Sequence, residues 1–192
     1  MNFTKILLLM FVSLVVTVLI IGGCAFSGYK KTIGLDESAD AAWAQVENQL
    51  QRRFDLVPNL VNTVKGIAAH EKDVFKAIAD ARAAYSGAQG RGQKAAAAGM
   101  FESALSRLMV IQERYPELKS NQSFLKLQDT LEGTENRLSV ERKRFNDAVR
   151  ALNSYIRAFP GSLYASFAGV EKSEYFQVSE AAKEVPKVDF GG

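Results

Sequence analysis

His70 and Glu71 adjoin in the stretch AAHEKDVF. An imidazole beside a carboxylate is a pair that hydrolases use to move a proton, and either group can hold a metal. The rest of such chemistry is missing from the sequence. Zinc peptidases place two histidines four residues apart with a glutamate between them, so that one helical turn brings both ligands to one ion. His70 is the chain's sole histidine. Di-iron bundles need Glu-x-x-His from each of two helices; Val46–Gln49 and Glu132–Glu135 supply carboxylates without an imidazole. Cys24, the sole cysteine, stands too near an apolar N-terminal run to serve as a nucleophile with His70. One cysteine and one histidine do not make a four-ligand zinc site. Gly87, Gly90 and Gly92 match neither a dinucleotide-binding nor a P-loop spacing, and no strand precedes them. No catalytic residue, metal or cofactor is therefore expected, and His70 is expected as a hydrogen-bonded helix residue.

A second set of polar residues lies on the inner face of the last long apolar repeat. Thr134 and Glu141/Arg142 interrupt that face, Glu135 and Asn136 flank it, and Asn146 and Asn153 follow on an adjoining stripe. Arg52 or Arg53, with Asn59, are positioned to meet them from an earlier segment. A buried polar cluster fixes register and topology at some cost in stability; the alternative is a small binding site. Gly66 and Gly133 sit inside helical patterns, where glycine costs about 1 kcal/mol relative to alanine, and they are expected to mark a close approach of two helices.

The elements that must position these groups are helical. From Ala39 through Trp43, Val46, Leu50, Val57, Leu60/Val61, Val64, Ile67/Ala68, Val74/Phe75, Ile78, Ala81 and Tyr85, apolar residues recur at steps of three, four or their sum, as on a helix that buries one face. Pro58 interrupts this run. A proline is tolerated in a helix's first turn but costs about 3 kcal/mol in the interior, and Asp55 stands three residues earlier, suited to cap a helix. A corner is expected here, with one helix starting at Asp36 or Ser38 and ending near Arg53, and a second running from Leu56 to Ala84; a continuous helix kinked at Pro58 is the alternative. SGAQGRG at residues 86–92 breaks the pattern. A third helix carries Phe101, Leu105, Leu108 and Ile111 and stops before Pro116. A fourth carries Phe124, Leu131, Leu138, Phe145 and Leu152 in a heptad, coiled-coil-like repeat and stops at Pro160-Gly161. No useful run alternates with period two. The expectation is an all-α fold, an up-and-down four-helix bundle over residues 36–160. Residues 161–192, with Tyr164, Phe167, Tyr175, Phe176 and Phe190, are expected to lie over the bundle with their aromatic rings in surface grooves; a partner-binding tail is the alternative.

Ahead of the bundle, Ile6–Ile21 carries no charge and follows Lys5. Extended through Phe26 it reaches the ~20 apolar residues that a membrane helix needs. Two readings of residues 1–24 stand side by side. One is a signal-anchor, a single transmembrane helix. The other is a lipoprotein signal peptide, because Ile21-Gly22-Gly23-Cys24 resembles a bacterial lipobox in which the Cys24 thiol accepts a diacylglyceryl group. Residues 25–35 read as a tether. Lys5 on one side faces Lys30 and Lys31 on the other, so charge sets no orientation. The net charge of +3 comes from 24 basic and 21 acidic residues interspersed along the chain, which argues against a nucleic-acid partner. The partners expected are the membrane, through the N-terminal segment, and proteins not yet identified.

Two blocks of sequence, AWAQVENQLQRRFDLVPNLVNTVKGIAAHE and YPELKSNQSFLKLQDTLEGTENRLSVERKRFNDAVRALNSYIRAFP, resemble the LemA family of bacterial membrane-anchored proteins. The resemblance covers nearly all of residues 29–190 and includes the closing VPKVDF. The residues that carry it include Arg52, Arg53, Asp55, Pro58, Asn59, His70 and Glu71 in the first block, and Glu132, Glu135, Asn136, Arg142 and Asn146 in the second. It implies an N-terminal membrane segment followed by a helical bundle in the cell envelope, single-pass or lipid-anchored, and carries over no active-site residue. The function expected is a non-enzymatic interaction or scaffold module. The alternative is an envelope hydrolase or enzyme subunit built on a polar cluster around His70 and Glu71.

Overall fold

The computed structural model describes residues 3–177, with side chains from residue 7 onward. Six helices make up the described chain, and no strand occurs among the described residues: α1 (Phe3–Lys65), α2 (Lys72–Gly87), α3 (Arg91–Arg114), α4 (Pro116–Ser120), α5 (Gln122–Arg157) and α6 (Gly161–Ala168). The fold is all-α, preceded by a long apolar helical stretch, as the periodicity predicts. Phe190 and the VPKVDF motif lie outside the described residues.

The corner expected at Arg53–Pro58 is absent. α1 continues past Pro58 as a single helix of 63 residues. Asp55 caps nothing; it accepts a hydrogen bond from Gln51 Nε2 at 2.9 Å. The reason is energetic. Phe54, Val57, Leu60 and Val64 are all buried on one continuous stripe, at about 1.5–3 kcal/mol for each large side chain. Together they outweigh the roughly 3 kcal/mol cost of an interior proline. The turn falls instead at residues 66–71, where Ile67 and Ala68 both donate to the Val64 carbonyl and buried Ala68 anchors the loop. Residues 25–35, expected as a tether, also belong to α1, so Asp36 and Ser38 are mid-helix residues and not caps.

The chain divides into two compact units. The larger comprises the described residues of Trp43–Asn146 and Glu174–Gly192. In it the C-terminal part of α1, α2, α3 and the N-terminal part of α5 form the bundle. Phe54 stacks on Tyr85 at 4.4 Å between ring centroids and lies 4.6 Å from Phe101. Trp43 meets Phe145 edge-on at 5.1 Å and Phe176 at 6.1 Å. The α5 heptad positions Phe124, Leu131, Leu138 and Phe145 are all buried. Pro116 opens the one-turn α4, where its missing N–H costs nothing. Asn121 then caps α5 by accepting from the Phe124 amide at 3.0 Å.

The smaller unit comprises the described residues of Met1–Ala42 and Asp147–Ser173. Here the C-terminal part of α5 and α6 pack on the N-terminal half of α1 through small residues. A Cβ at Gly28 would overlap the Tyr164 ring, and one at Gly161 would overlap the Tyr155 carbonyl. Tyr155 Oη donates to the Gly28 carbonyl at 3.3 Å. Gly169, at φ 67°, closes α6 in the left-handed conformation that glycine tolerates best. Gly66 and Gly133, expected to be close-approach positions, are not: a Cβ at either would make only ordinary contacts, with the Thr63 and Asn62 carbonyls and with the Arg137 guanidinium respectively.

Candidate functional site

Seven residues separate Glu135 from Arg142, two helical turns, so both project from one face of α5. Arg53 comes from α1 and Glu102 from α3. These four side chains form a closed quartet inside the larger unit. Arg53 Nη1 donates to Glu102 Oε1 at 3.1 Å and also to Glu135. Arg142 Nη2 donates to Glu102 Oε1 at 2.6 Å, and its Nη1 reaches Glu135 Oε1 at 3.5 Å. Each carboxylate thus bridges both guanidinium groups. Aromatic faces floor the quartet: Arg53 lies over Phe101 and Arg142 over Phe176, the latter 4.7 Å from the ring centroid.

The two arginines are the deeply buried members, with side chains 6% and 13% exposed against 28% for Glu102 and 38% for Glu135. The Nε of each arginine is buried without a protein hydrogen-bond partner. The carboxylates titrate in opposite directions. Burial pushes the Glu102 carboxyl up, but the hydrogen bond and charge of Arg142, helped by Arg53, outweigh it and hold the group below its ordinary value. At Glu135 burial leads, the neighbouring Glu102 adds to it, and the arginines do not fully offset the two, so the carboxyl is raised. Such opposed titrations occur at acid–base sites, but ion-pair networks produce them too; here every charged perturber belongs to the quartet.

A groove of about 400 Å³ opens beside the quartet. Arg53, Glu102 and Glu135 edge it, Leu105, Met109 and Leu131 supply an apolar wall, and Ser106, Gln128 and Glu132 are polar partners around it. The groove is thus a trough with an apolar wall and a charged rim.

The other expected residues are dispersed. Cys24 is exposed on α1. Arg52 and Asn136 are exposed and outside the quartet. Asn59 is exposed and lines a separate groove with Leu56, Asn62, Ser123 and Lys126. His70 is exposed in the turn before α2, not on a helix as expected. Glu71 is occupied structurally: Tyr115 Oη donates to its Oε1 at 3.3 Å, and Arg114 pairs with the same oxygen at 3.2 Å. The two adjacent residues are thus not joined in one cluster with the quartet. Among the described residues no three histidine, cysteine, aspartate or glutamate side chains are grouped to hold a metal.

The two asparagines on the stripe beside the quartet serve the C-terminal segment. Asn146 accepts from the Phe176 amide at 2.8 Å and donates to its carbonyl at 3.1 Å. Asn153 does the same with Ser173, at 3.0 and 2.9 Å. Each side-chain amide imitates a neighbouring strand, and the pairing delivers the Phe176 ring to Arg142 and Trp43. Ser173 and Phe176 are thus held to α5, with the Phe176 ring buried; Phe167 and Tyr175, expected in surface grooves, are exposed. Glu102 was missed at the sequence level; its one signal is a carboxylate set directly beside Phe101 and close to Ala104 and Leu105 on an apolar face.

The profile of the LemA family matches residues 42–190. Magnetosome protein MamQ 2 from Paramagnetospirillum magneticum is 28% identical over 179 aligned residues, covering 80% of this chain and 66% of that protein. MamQ from Magnetospirillum gryphiswaldense is 27% identical with the same coverage. The chain thus spans just under two thirds of the length of these relatives.

Proposed function

Because the chain belongs to the LemA family, we propose that it is a membrane-anchored, non-enzymatic helical module of the bacterial cell envelope that presents its bundle to protein partners. The observation that carries this reading is the pairing of a self-neutralising Arg–Glu quartet with an apolar-walled groove, on a chain whose first helix begins with a bare apolar stretch. Residues 7–21 are exposed throughout, and α1 is the one helix among the described residues long and apolar enough to cross a membrane. The quartet's charges are spent on one another, which leaves them to fix the bundle's register and shape the groove. The relatives named above are magnetosome proteins; for this chain the proposed setting is the envelope membrane, and its partner is a protein.

Photo-crosslinking residues placed at Ser106, Met109 and Gln128 of the full chain in living cells test the partner reading. Discrete protein adducts from these positions, absent from positions Asp80 and Arg107 elsewhere on the bundle, are expected. A hydrolytic activity of the purified full chain that disappears in a folded His70→Ala variant would overturn it. The mass of the mature protein decides the form of attachment: retention of Met1–Gly23 marks a spanning helix, whereas a chain starting at a diacylglyceryl-modified Cys24 marks a lipid anchor.

A further inference from the structure

Phe159, Leu163 and Phe167 follow one another at four-residue spacing across the α5–α6 connection and α6, and all three are exposed, at 84%, 47% and 77%. On a short helix that spacing puts Leu163 and Phe167 on one side. The opposite side is already spent, since Gly161 and Ala165 are buried. α6 therefore carries a packed small-residue face and a bare apolar one.

Where that bare face lies is set by Gly28. The Tyr164 ring of α6 sits directly on it, and Tyr155 bonds its carbonyl. Gly28 stands two residues past Phe26, about 3 Å further along the helix axis. The apolar stretch from Leu7 to Phe26 spans roughly 30 Å, the thickness of a bilayer's hydrocarbon core. α6 thus crosses α1 at the level where the apolar stretch ends. Exposed Phe26 and Tyr29 lie at the same level, as do Lys30 and Lys31, whose ammonium groups rest 4.9 Å from the rings of Phe26 and Tyr155. Exposed aromatic rings with lysines just beyond them are the composition of a membrane–water boundary.

We propose that α6 is a second membrane contact: Phe159, Leu163 and Phe167 insert into the interfacial layer of the bilayer that holds α1, with Lys30 and Lys31 at anionic headgroups. This rests on the anchoring reading above. The occupant is lipid because α6 meets α1 at Gly28, two residues past the end of a stretch that is exposed and apolar on every side. The contact clamps the start of the chain against the bilayer plane and fixes the angle at which α1 emerges.

The full chain, carrying Cys24→Ser and one added cysteine at Leu163, Phe167 or Leu14, is labelled with the fluorophore NBD. It is then reconstituted into vesicles of phosphatidylcholine and phosphatidylglycerol in equal parts. Labels at 163 and 167 are expected to emit at blue-shifted wavelengths and lose most of their intensity to lipids bearing nitroxides near the headgroup. The label at 14 should lose it to nitroxides deep in the acyl chains. Water-like emission at 163 and 167, quenched by iodide alone while position 14 remains lipid-quenched, overturns this inference and leaves the anchor intact. Self-quenching between labelled copies without lipid quenching means that a second copy covers the face, and overturns it equally. If the label at 14 also reports water, the anchoring reading fails and this inference falls with it.

Discussion

Residues 7–21 and 43–64 of α1 are both rich in apolar side chains, and they meet different fates. In the second stretch Trp43, Val46, Leu50, Phe54, Val57, Leu60 and Val64 are buried at steps of three and four, while Ala44, Asn48, Gln51 and Asp55 between them are exposed. In the first stretch every side chain is exposed. Both are helix, so secondary structure does not separate them. What separates them is distribution around the axis. A stripe can be covered by three partner helices, but a fully apolar cylinder needs an apolar solvent. The stripe also tolerates a buried charge, Arg53, because partner helices bring Glu102 and Glu135 to it; a bare cylinder has no such means.

The sharpest way to break this contrast is to damage the striped half. Arg53→Ala strands part of the quartet and is expected to cost about 3–5 kcal/mol of unfolding free energy, read by urea denaturation of the full chain in detergent micelles. Phe101→Ala, which removes the ring beneath Arg53 and beside Phe54, is expected to cost about 3–5 kcal/mol by leaving a cavity. Leu14→Ala in the exposed stretch should leave the same transition unmoved; an equal loss there would dissolve the distinction. Gly161→Ala forces a methyl into the Tyr155 carbonyl and should cost about 1–3 kcal/mol.

Acidity probes the quartet more finely. Glu102 titrates below the ordinary value of 4.5 when folded, so its stabilisation is complete above that value and lost as pH falls through the lower one. Glu135 is raised, so its contribution is complete below 4.5 and lost as pH rises through the higher folded value. Melting temperature against pH should therefore show both limbs. Glu102→Gln should remove the acid limb and Glu135→Gln the other; an unaltered profile in both variants would deny the coupling. The smallest expected effect is at Gly133, where nothing approaches closely: Gly133→Ala should raise stability by about 1 kcal/mol through helix propensity alone.

These residues also show what a sequence makes legible. The striped helices, the Gly-rich break and the α5 heptad are periodic and local, so they could be read directly. The position of the first corner could not. Pro58 is a strong local signal, yet its cost was outweighed by burial of Phe54, Val57, Leu60 and Val64 against helices distant in sequence, and the turn moved to the weaker signal at Gly66. Arg142 was visible as a polar interruption of an apolar face, with Glu135 flanking it and Arg52 or Arg53 placed to meet them. Glu102 was not, because a carboxylate flanking a stripe looks solvated until the helix opposite supplies its arginines. Gly28 read as a linker residue, since glycine marks a loop and a tight helix crossing equally well, and Tyr164 is 136 residues away in sequence.

The central claim is that one helix passes from an all-round apolar surface to a one-sided one. Cysteine scanning of the full chain in membranes, in a Cys24→Ser background with a water-soluble maleimide, tests it most directly. Positions 8–20 should resist labelling without exception, whereas from 44 onward reactivity should oscillate, high at Ala44 and Asn48 and low at Val46 and Leu50. Oscillation in the first stretch, or uniform reactivity in the second, would contradict the account.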